Sequence, residues 1–415
     1  MVKIFCILDG IGDRPCKKLN GLTPLEAANT PNLDYFAARS NHGYVYTLGE
    51  KIAPESDEAI MALLGYDPRK YYYGRGPLEA YGAGMQFKEG WLALRTNFST
   101  VDKDGEKIID RRSGRTLTTK EAKEIEKTIN EDVDLGYNFE FKATVGHRGV
   151  LIIKCDFSSN ISNPDPAYKR VGKFGVAVLE KNMKVQKCKP LDPKSKTLES
   201  AKVVNRFVDQ TRNILKDHPV NKKRKKNYLL EANIIIPRDA GTELPKLPKK
   251  SEWAAIVSMP LEIGITRLAG MTVLNFEYPK TKNDIYTQLY EGLNLTLKES
   301  IKNIKEGKYK KYFVHFKETD IPGHDNKPLE KVKMIEIIDK NFFGFLRTMG
   351  DIELLVTGDH STPCELKNHS SDPVPLMYYG KKKKDLVDEF NEQECLNGEY
   401  GKIYGKDVLK KVGFE

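Results

Sequence analysis

The sequence predicts an α/β fold with a parallel-sheet core in two sequence segments and a smaller inserted α/β domain. Two observations carry this. Three apolar runs suited to buried strands end on or shortly before acidic or imidazole side chains: KIFCIL before Asp9, KYFVHF before Asp320 and His324, and IELLVT before Asp359 and His360. An open α/β sheet places its site at the carboxyl ends of its strands, which is where these groups would meet. Strand-like and helix-like patterns also alternate to about residue 84 and again from about residue 190, where LLEANIIIP, WAAIVSMP and MTVLNF lie. The stretch between is more charged, with strands expected near 91–97, 137–143 and 149–154. Residues 1–84 and 190–415 are therefore expected to form the core, and residues 85–189 the insert.

The amino-terminal run, apolar from Ile4 to Leu8, suits a strand buried on both faces and stops at Asp9-Gly10. In APESDEAIMALLGYDP, Ser56 and Asp57 have the residue types of a helix start, followed by apolar Ile60, Met61, Leu63 and Leu64. A hydroxyl there sits among unpaired backbone N–H groups, a suitable place to receive a phosphoryl group. Asp320 and His324 are four residues apart, and Pro322-Gly323 between them predicts a tight turn that draws them together rather than a helix. Asp359 and His360 follow the last apolar run, with His369 nine residues beyond the latter.

Asp9, Asp320, His324, Asp359, His360 and His369 thus join Ser56 as a ligand set for two metal ions around one serine. Three of the chain's seven histidines fall in this late cluster, each beside an Asp or Ser in the sequence or one turn from it. Carboxylate and imidazole donors without a thiolate suit Mn²⁺, Mg²⁺, Zn²⁺, Co²⁺ or Fe²⁺. Two such ions lower the pKa of a serine hydroxyl and neutralise charge on a phosphoryl group, so Ser56 is expected to act as a nucleophile without a histidine base.

With 415 residues and 39% apolar content the chain is long enough for two domains. Its most apolar stretch, Ala254 to Phe276, is broken by Glu262 and Arg267, and no segment reads as a membrane span or leader. Six cysteines without a CxxC pair point to reduced thiols and a cytoplasmic setting, Cys364 being the one nearest a metal-binding motif. A net charge of +10, with NKKRKKN at 221–227 and KKKK at 381–384, comes without interleaved aromatics or a nucleic-acid motif. A solvated basic surface that collects small anions is the expectation, with no nucleic-acid or membrane partner. Nothing in the chain specifies an oligomeric state.

The segments ILDGIGDRP, GLTPLEAANTPNLD, PESDEAIMALLGYDP, YGRGPLEAYGAG, RTNFST, DRRSGR, GHRGV, HPVN, ETDIPGHD and VTGDHSTPC with HSSDPVP run from residue 3 to about residue 376. Together they resemble the alkaline phosphatase superfamily and, within it, the archaeal-type cofactor-independent phosphoglycerate mutases. The resemblance implies one metal held by Asp320, His324 and His369, and another by Asp9, Asp359 and His360 with the Ser56 hydroxyl. It implies two divalent ions, Mn²⁺ foremost, and no 2,3-bisphosphoglycerate. The implied activity is interconversion of 3- and 2-phosphoglycerate through a phosphoserine, with a small phosphorylated metabolite as the partner.

A mutase differs from a phosphatase in keeping glycerate in and water out, so the insert is expected to act as a lid, with YGRGPLEAYGAG as a hinge. Arg75, Arg95, Arg111, Arg148 and Lys317, in segments that resemble the family, are the expected ligands of carboxylate and phosphate, with His147 as a hydrogen-bond donor. The chain departs from the family pattern at Glu55, where Gly is usual, at Ile60 or Met61, where His is common, and at NPDPAY, where a DTDPH-like stretch is usual. A carboxylate at Glu55 must be offset by a metal or an Arg if phosphate is to bind beside it. Two other readings fit the same segments: a related phosphotransferase, homoserine kinase-like, or a simple phosphomonoesterase. A basic RNA-binding protein is a further class, which salt-sensitive binding surviving Ser56→Ala would reveal.

Overall fold

A computed structural model of the protein describes residues 1–178, 182–280, 284–380 and 384–415. In chain order its strands are β1 (Val2–Leu8), β2 (Asn41–Tyr46), β3 (Trp91–Val101), β4 (Ile108–Asp110), β5 (Phe139–Ala143), β6 (Arg148–Asp156), β7 (Tyr168–Val171), β8 (Phe174–Ala177), β9 (Ile234–Gly241), β10 (Trp253–Ile256), β11 (Thr272–Val273), β12 (Lys311–Phe316), β13 (Ile352–Thr357), β14 (Val374–Tyr379) and β15 (Gly401–Tyr404).

Eight of them form one sheet in the order β11-β10-β12-β1-β13-β14-β2-β15, in which only β14 runs against the rest. Alternation along β1 shows why this sheet is central. Ile4, Cys6 and Leu8 enter the core on one face, whereas Phe5 and Ile7 enter the core on the other. A strand buried on both faces has to be apolar throughout, so the run stops where a charged group is wanted.

The smaller sheet is antiparallel, β4-β3-β6-β5, with β9 on the other edge of β3. Leu92, Leu94, Phe98, Phe141 and Leu151 share a core with Ile125 and Ile129 of the helix Thr119–Asp132 and with Val203, Val204 and Phe207 of the helix Ser195–Lys216. The expected return to the large sheet near residue 190 is thereby moved. Ser195–Lys216 covers the smaller sheet, and Ile234–Gly241 pairs with β3 in the register Thr96↔Pro237 and Ser99↔Ile234. The chain rejoins the large sheet only at β10. The run LLEANIIIP reads as a strand but carries no local mark of which sheet it joins.

The Gly-rich stretch expected as a hinge is a tightly packed joint. An ideal Cβ at Gly76 would lie 2.2 Å from the Ala93 carbonyl oxygen, and one at Gly82 would lie 1.7 Å from that of Pro260. These glycines let the helix Arg75–Gly82 press between the two units.

Within the run NKKRKKN, Asn221 and Arg224 turn inward. Arg224 is fully buried and donates to the Leu230 carbonyl (2.8 Å) and to Glu121 (3.0 Å), so part of this basic run is structural. Of the second run, Lys381 to Lys383 lie outside the described residues. No helix among the described residues is long and apolar enough to cross a membrane.

A buried ion pair ties the loop after β1 to the helix Pro328–Ile338, and a hydrogen bond ties the same loop to the one after β13. Lys331 is fully buried, and its ammonium donates to Asp13 Oδ2 (2.8 Å), while Asp13 Oδ1 accepts from the Cys364 backbone N–H (3.0 Å). Cys364 therefore serves this loop junction and, among the described residues, is in none of the groups that could hold a metal ion. Asp13→Ala is expected to destabilise the fold by about 3–5 kcal/mol, because it strands a buried ammonium. An unchanged urea midpoint would contradict this.

Candidate active site

β12, β1 and β13 are neighbours and parallel, with Leu8 level with Phe316 and Ile7 level with Thr357. The chain therefore delivers Asp9, Lys317 and Asp359 to the carboxyl ends of these strands at nearly one height. Gly10, at φ +60°, turns the chain there, and an ideal Cβ would fall 2.8 Å from Asp320 Oδ1. Its backbone N–H donates to Asp359 Oδ1 (3.0 Å).

Asp320–His324 forms one turn of helix where a tight turn was expected. Pro322 is tolerated because the first-turn N–H groups have no intrahelical partner. Gly323 packs against Thr362, whose carbonyl oxygen would lie 2.4 Å from an added Cβ. The i, i+4 spacing then puts the His324 Nε2 atom 3.4 Å from Asp320 Oδ2. Ser56 opens the helix Ser56–Leu63 as expected, after Glu55, whose backbone N–H donates to Glu58 Oε2 (3.2 Å).

The three late histidines share one geometry. Each engages Nδ1 outwardly: His324 with the Lys367 carbonyl (3.1 Å), His360 with Thr362 Oγ1 (3.0 Å) and His369 with the Pro54 carbonyl (2.8 Å). Each turns Nε2 toward carboxylates, His360 to Asp359 Oδ2 (3.3 Å) and Asp9 Oδ1 (3.5 Å), and His369 to Asp320 Oδ1 (3.8 Å). An outer hydrogen bond that fixes tautomer and ring orientation is the usual support of a metal-bound histidine. Asp9 Oδ1 and Asp359 Oδ2 are buried and accept no hydrogen bond. Burial pushes His324 and His360 down to about 3, which leaves them as neutral donors. For His369 burial also opposes the charge, but Glu55 and then Asp320 raise it to about 10.

Three groups bring their donor atoms within 4.8 Å of one another: Asp320, His324 and His369; Asp9, Asp320 and His360; and Asp9, His315 and Asp359. These residues suit a divalent metal. His315 was not anticipated from the sequence. It lies 3.1 Å from Asp9 Oδ2 and points to the same side as Lys317, as strand alternation in KYFVHFK would have indicated.

Ser56 is buried, with its hydroxyl 3.3 Å from both His360 Nε2 and Lys317 Nζ. The Lys317 ammonium also donates to Asp9 and lies 3.8 Å from Glu262. The hydroxyl opens on a cavity lined by seven arginines, Arg75, Arg95, Arg111, Arg112, Arg115, Arg148 and Arg238, together with Lys317, His147, Tyr168, Glu55, Glu79 and Glu262. All six residues expected to bind substrate therefore line it. Arg112, Arg115, Tyr168 and Arg238 line it too and were not foreseen.

Their states differ. Arg111 turns its fork onto Asp165, Nε to Oδ1 at 3.0 Å and Nη2 to Oδ2 at 2.8 Å. Arg75 and Arg95 lie 2.5 and 3.6 Å from Glu79. Among the described residues Arg112 and Arg148 have no ion pair. Burial first, then Arg115 and Arg111, push Arg112 down to about 9, and burial with Arg75 and Arg238 does the same to Arg95. A guanidinium stays charged at neutral pH, so this crowding means that the cavity favours an anion. Burial first, then Arg148, Arg112 and Arg115, push His147 well below its ordinary value, so it is neutral.

The chain matches the model of the 2,3-bisphosphoglycerate-independent phosphoglycerate mutase family over residues 37–221. Proteins of that name from Aeropyrum pernix and Pyrococcus abyssi are 38% and 39% identical to it, covering 97% and 98% of this chain and 96% and 95% of their own. The chain belongs to this family. A solved structure from Pyrococcus horikoshii superposes with a TM-score of 0.74 at 29% identity, covering 100% of this chain and 98% of its own. The cofactor-independent phosphoglycerate mutase from Thermoplasma acidophilum does so with a TM-score of 0.56 at 31% identity, covering 100% and 99%.

Against the family's pattern the departures take definite places. Glu55 lies 3.3 Å from His369, 3.6 Å from Arg75 and 3.8 Å from Arg238. Burial disfavours its charge, but His369, Arg238 and Arg75 hold it well below the usual carboxylate range. The offset required of an acid beside Ser56 is thus supplied. Ile60 and Met61 are fully buried core residues. In NPDPAY, Asp165 holds Arg111, and Asn163 Oδ1 accepts from the Asp239 backbone N–H (2.9 Å).

Proposed function

We propose that this protein interconverts 3-phosphoglycerate and 2-phosphoglycerate through a phosphoserine at Ser56, without 2,3-bisphosphoglycerate. The observation that carries this is the position of the Ser56 hydroxyl, at a helix N-terminus between a carboxylate–imidazole cluster and a cavity rich in arginine. Asp320, His324 and His369 would hold one divalent ion. Asp9, Asp359 and His360, with His315 and Asp320 close by, would hold a second, and Mn²⁺ suits this oxygen and nitrogen set. When bound, such ions supply positive charge that acidifies a hydroxyl and neutralises the phosphoryl oxygens.

The chain's own residues do the rest. Arg112, Arg148 and Arg95 receive the phosphate and carboxylate of the substrate, and neutral His147 donates a hydrogen bond. Ser56 Oγ takes the phosphoryl group from one glycerate oxygen, the glycerate turns in the closed cavity, and the group returns to the other oxygen. The smaller unit acts as a lid that keeps water out meanwhile. A reducing cytoplasm suits six cysteines that are all free thiols.

The test is to supply metal-stripped protein with Mn²⁺ and 3-phosphoglycerate and to separate the products by chromatography. 2-Phosphoglycerate that requires both metal and Ser56 is expected. Free phosphate as the main product would replace this reading with a phosphomonoesterase, and no turnover with metal bound would point to another phosphorylated metabolite.

The arginines can be ranked. Arg112→Ala is expected to raise the apparent KM about tenfold or more, the loss of a charge-assisted hydrogen bond. Arg111→Lys is expected to raise it less, because the Arg111 fork serves Asp165. Steady-state kinetics giving the reverse order would make Arg111 the anion ligand.

A further inference from the structure

The hairpin of β7 and β8 belongs to neither of the larger sheets. From its base at Tyr168 up to the Arg170↔Gly175 pair it is held by the smaller unit. Arg170 donates from Nη1 to the carbonyls of Ser159 (2.5 Å) and Ala240 (3.2 Å), and Asn163 Nδ2 donates to the Tyr168 carbonyl (3.3 Å). Gly175 packs so closely on Asp239 that an ideal Cβ would lie 2.2 Å from its Oδ1.

The tip reaches the other unit. Phe174 stacks on Tyr72, ring centroids 5.7 Å apart and planes 25° from parallel, and the Lys173 ammonium lies 4.5 Å from the centre of the Tyr73 ring. Tyr72 is buried in the core of the large sheet, where its hydroxyl donates to Asp57 Oδ2 (2.5 Å). Asp57 is the residue after Ser56. At the base of the same hairpin Tyr168 lines the cavity, its ring faced by the guanidinium groups of Arg238 at 3.6 Å and Arg111 at 4.8 Å. One short ribbon therefore runs from the arginine wall of the cavity to the helix that carries Ser56. A two-stranded ribbon is marginally stable by itself, so its position depends on what it packs against: the smaller unit along its strands and Tyr72 and Tyr73 at its tip.

We propose that this hairpin is the clasp that decides where the phosphoryl group goes: seated on Tyr72 it favours transfer to glycerate, and released it lets water compete. The proposal rests on the phosphoserine reading above. In either outcome the bond between phosphorus and Ser56 Oγ breaks and a new phosphorus–oxygen bond forms. The attacking O–H, from glycerate or from water, loses its proton, and Ser56 Oγ ends protonated. The products are 2-phosphoglycerate in one case, and inorganic phosphate with glycerate in the other. Phe174 acts as a positioning residue, since it lies outside the arginine-lined cavity, in a separate groove with Asp67, Arg69 and Lys406.

The experiment follows ³²P from 3-phosphoglycerate in the metal-loaded full-length protein and measures the ratio of inorganic phosphate to 2-phosphoglycerate. Phe174→Ala is expected to raise that ratio at least tenfold while the rate of phosphoserine formation and the metal content stay as in the wild type. Phe174→Tyr, which keeps the ring, is expected to restore the low ratio. Phe174→Leu, which keeps apolar volume without the stack, serves in place of the alanine variant if that variant does not fold by circular dichroism. A folded Phe174→Ala or Phe174→Leu protein with the wild-type ratio would overturn the clasp. A wild-type protein that forms no phosphoserine would overturn the proposed function instead.

Discussion

Ser56→Ala is expected to lower turnover of phosphoglycerate by about 10⁴-fold or more, the scale seen when a nucleophile is removed. The fold should stay unchanged. The hydroxyl is buried at the first position of its helix, so alanine fits without a cavity or a lost cap. What disappears is the oxygen held 3.3 Å from Lys317 Nζ and from His360 Nε2. Rapid quenching after mixing with 3-phosphoglycerate, followed by intact-protein mass spectrometry, should show a phosphorylated wild-type protein and an unmodified variant. Turnover within tenfold of wild type would mean that the phosphoryl group moves without resting on Ser56.

Asp359→Asn is expected to lose metal and activity together. Asp359 is fully buried. Its Oδ1 accepts from the backbone N–H groups of Gly10 and His360, both at 3.0 Å, while its Oδ2 accepts none. An amide has the same shape, so it can keep the carbonyl side of this arrangement, but it cannot supply the negative charge of a carboxylate donor. A loss of at least the 10- to 100-fold in metal affinity typical of outer-shell changes is expected. Titration calorimetry or elemental analysis of the dialysed protein measures it. A variant that keeps full activity with no metal would remove Asp359 from the ligand set.

Much of this site was legible before folding because metal-ligand chemistry and strand ends leave local marks. An apolar run that stops at Asp9, and another that stops before Asp359-His360, announce both a buried strand and the height at which its polar side chain emerges. Ser56 before the apolar positions Ile60, Met61, Leu63 and Leu64 announces a helix start in the same way. The smaller misreadings have equally local causes. Pro322-Gly323 favours a turn on propensity, but packing of Gly323 on Thr362 makes one helical turn the better fit. A histidine inside an apolar strand, such as His315, reads as core until the neighbouring strand brings Asp9 beside it.

The arginines mark where legibility stops. Arg112, Arg115 and Arg238 are three among 68 basic residues, and no spacing distinguishes a cavity arginine from a solvated one. Arg238 was further hidden by the assignment of its strand to the large sheet. Tyr168 reaches the cavity on a hairpin whose sequence is unremarkable.

The sequence by itself determined which carboxylate, imidazole and hydroxyl groups stand at the strand ends and at the helix start, since both follow from residue type and short-range periodicity. Only the tertiary structure decided which charges neutralise one another: Glu55 against His369, Arg75 and Arg238, Arg111 against Asp165, and Lys317 against Asp9. It alone decided that Ile234–Gly241 closes the smaller sheet and that Phe174 rests on Tyr72. Those pairings join residues far apart in the chain. Packing of whole elements selects them, and no local propensity encodes the outcome.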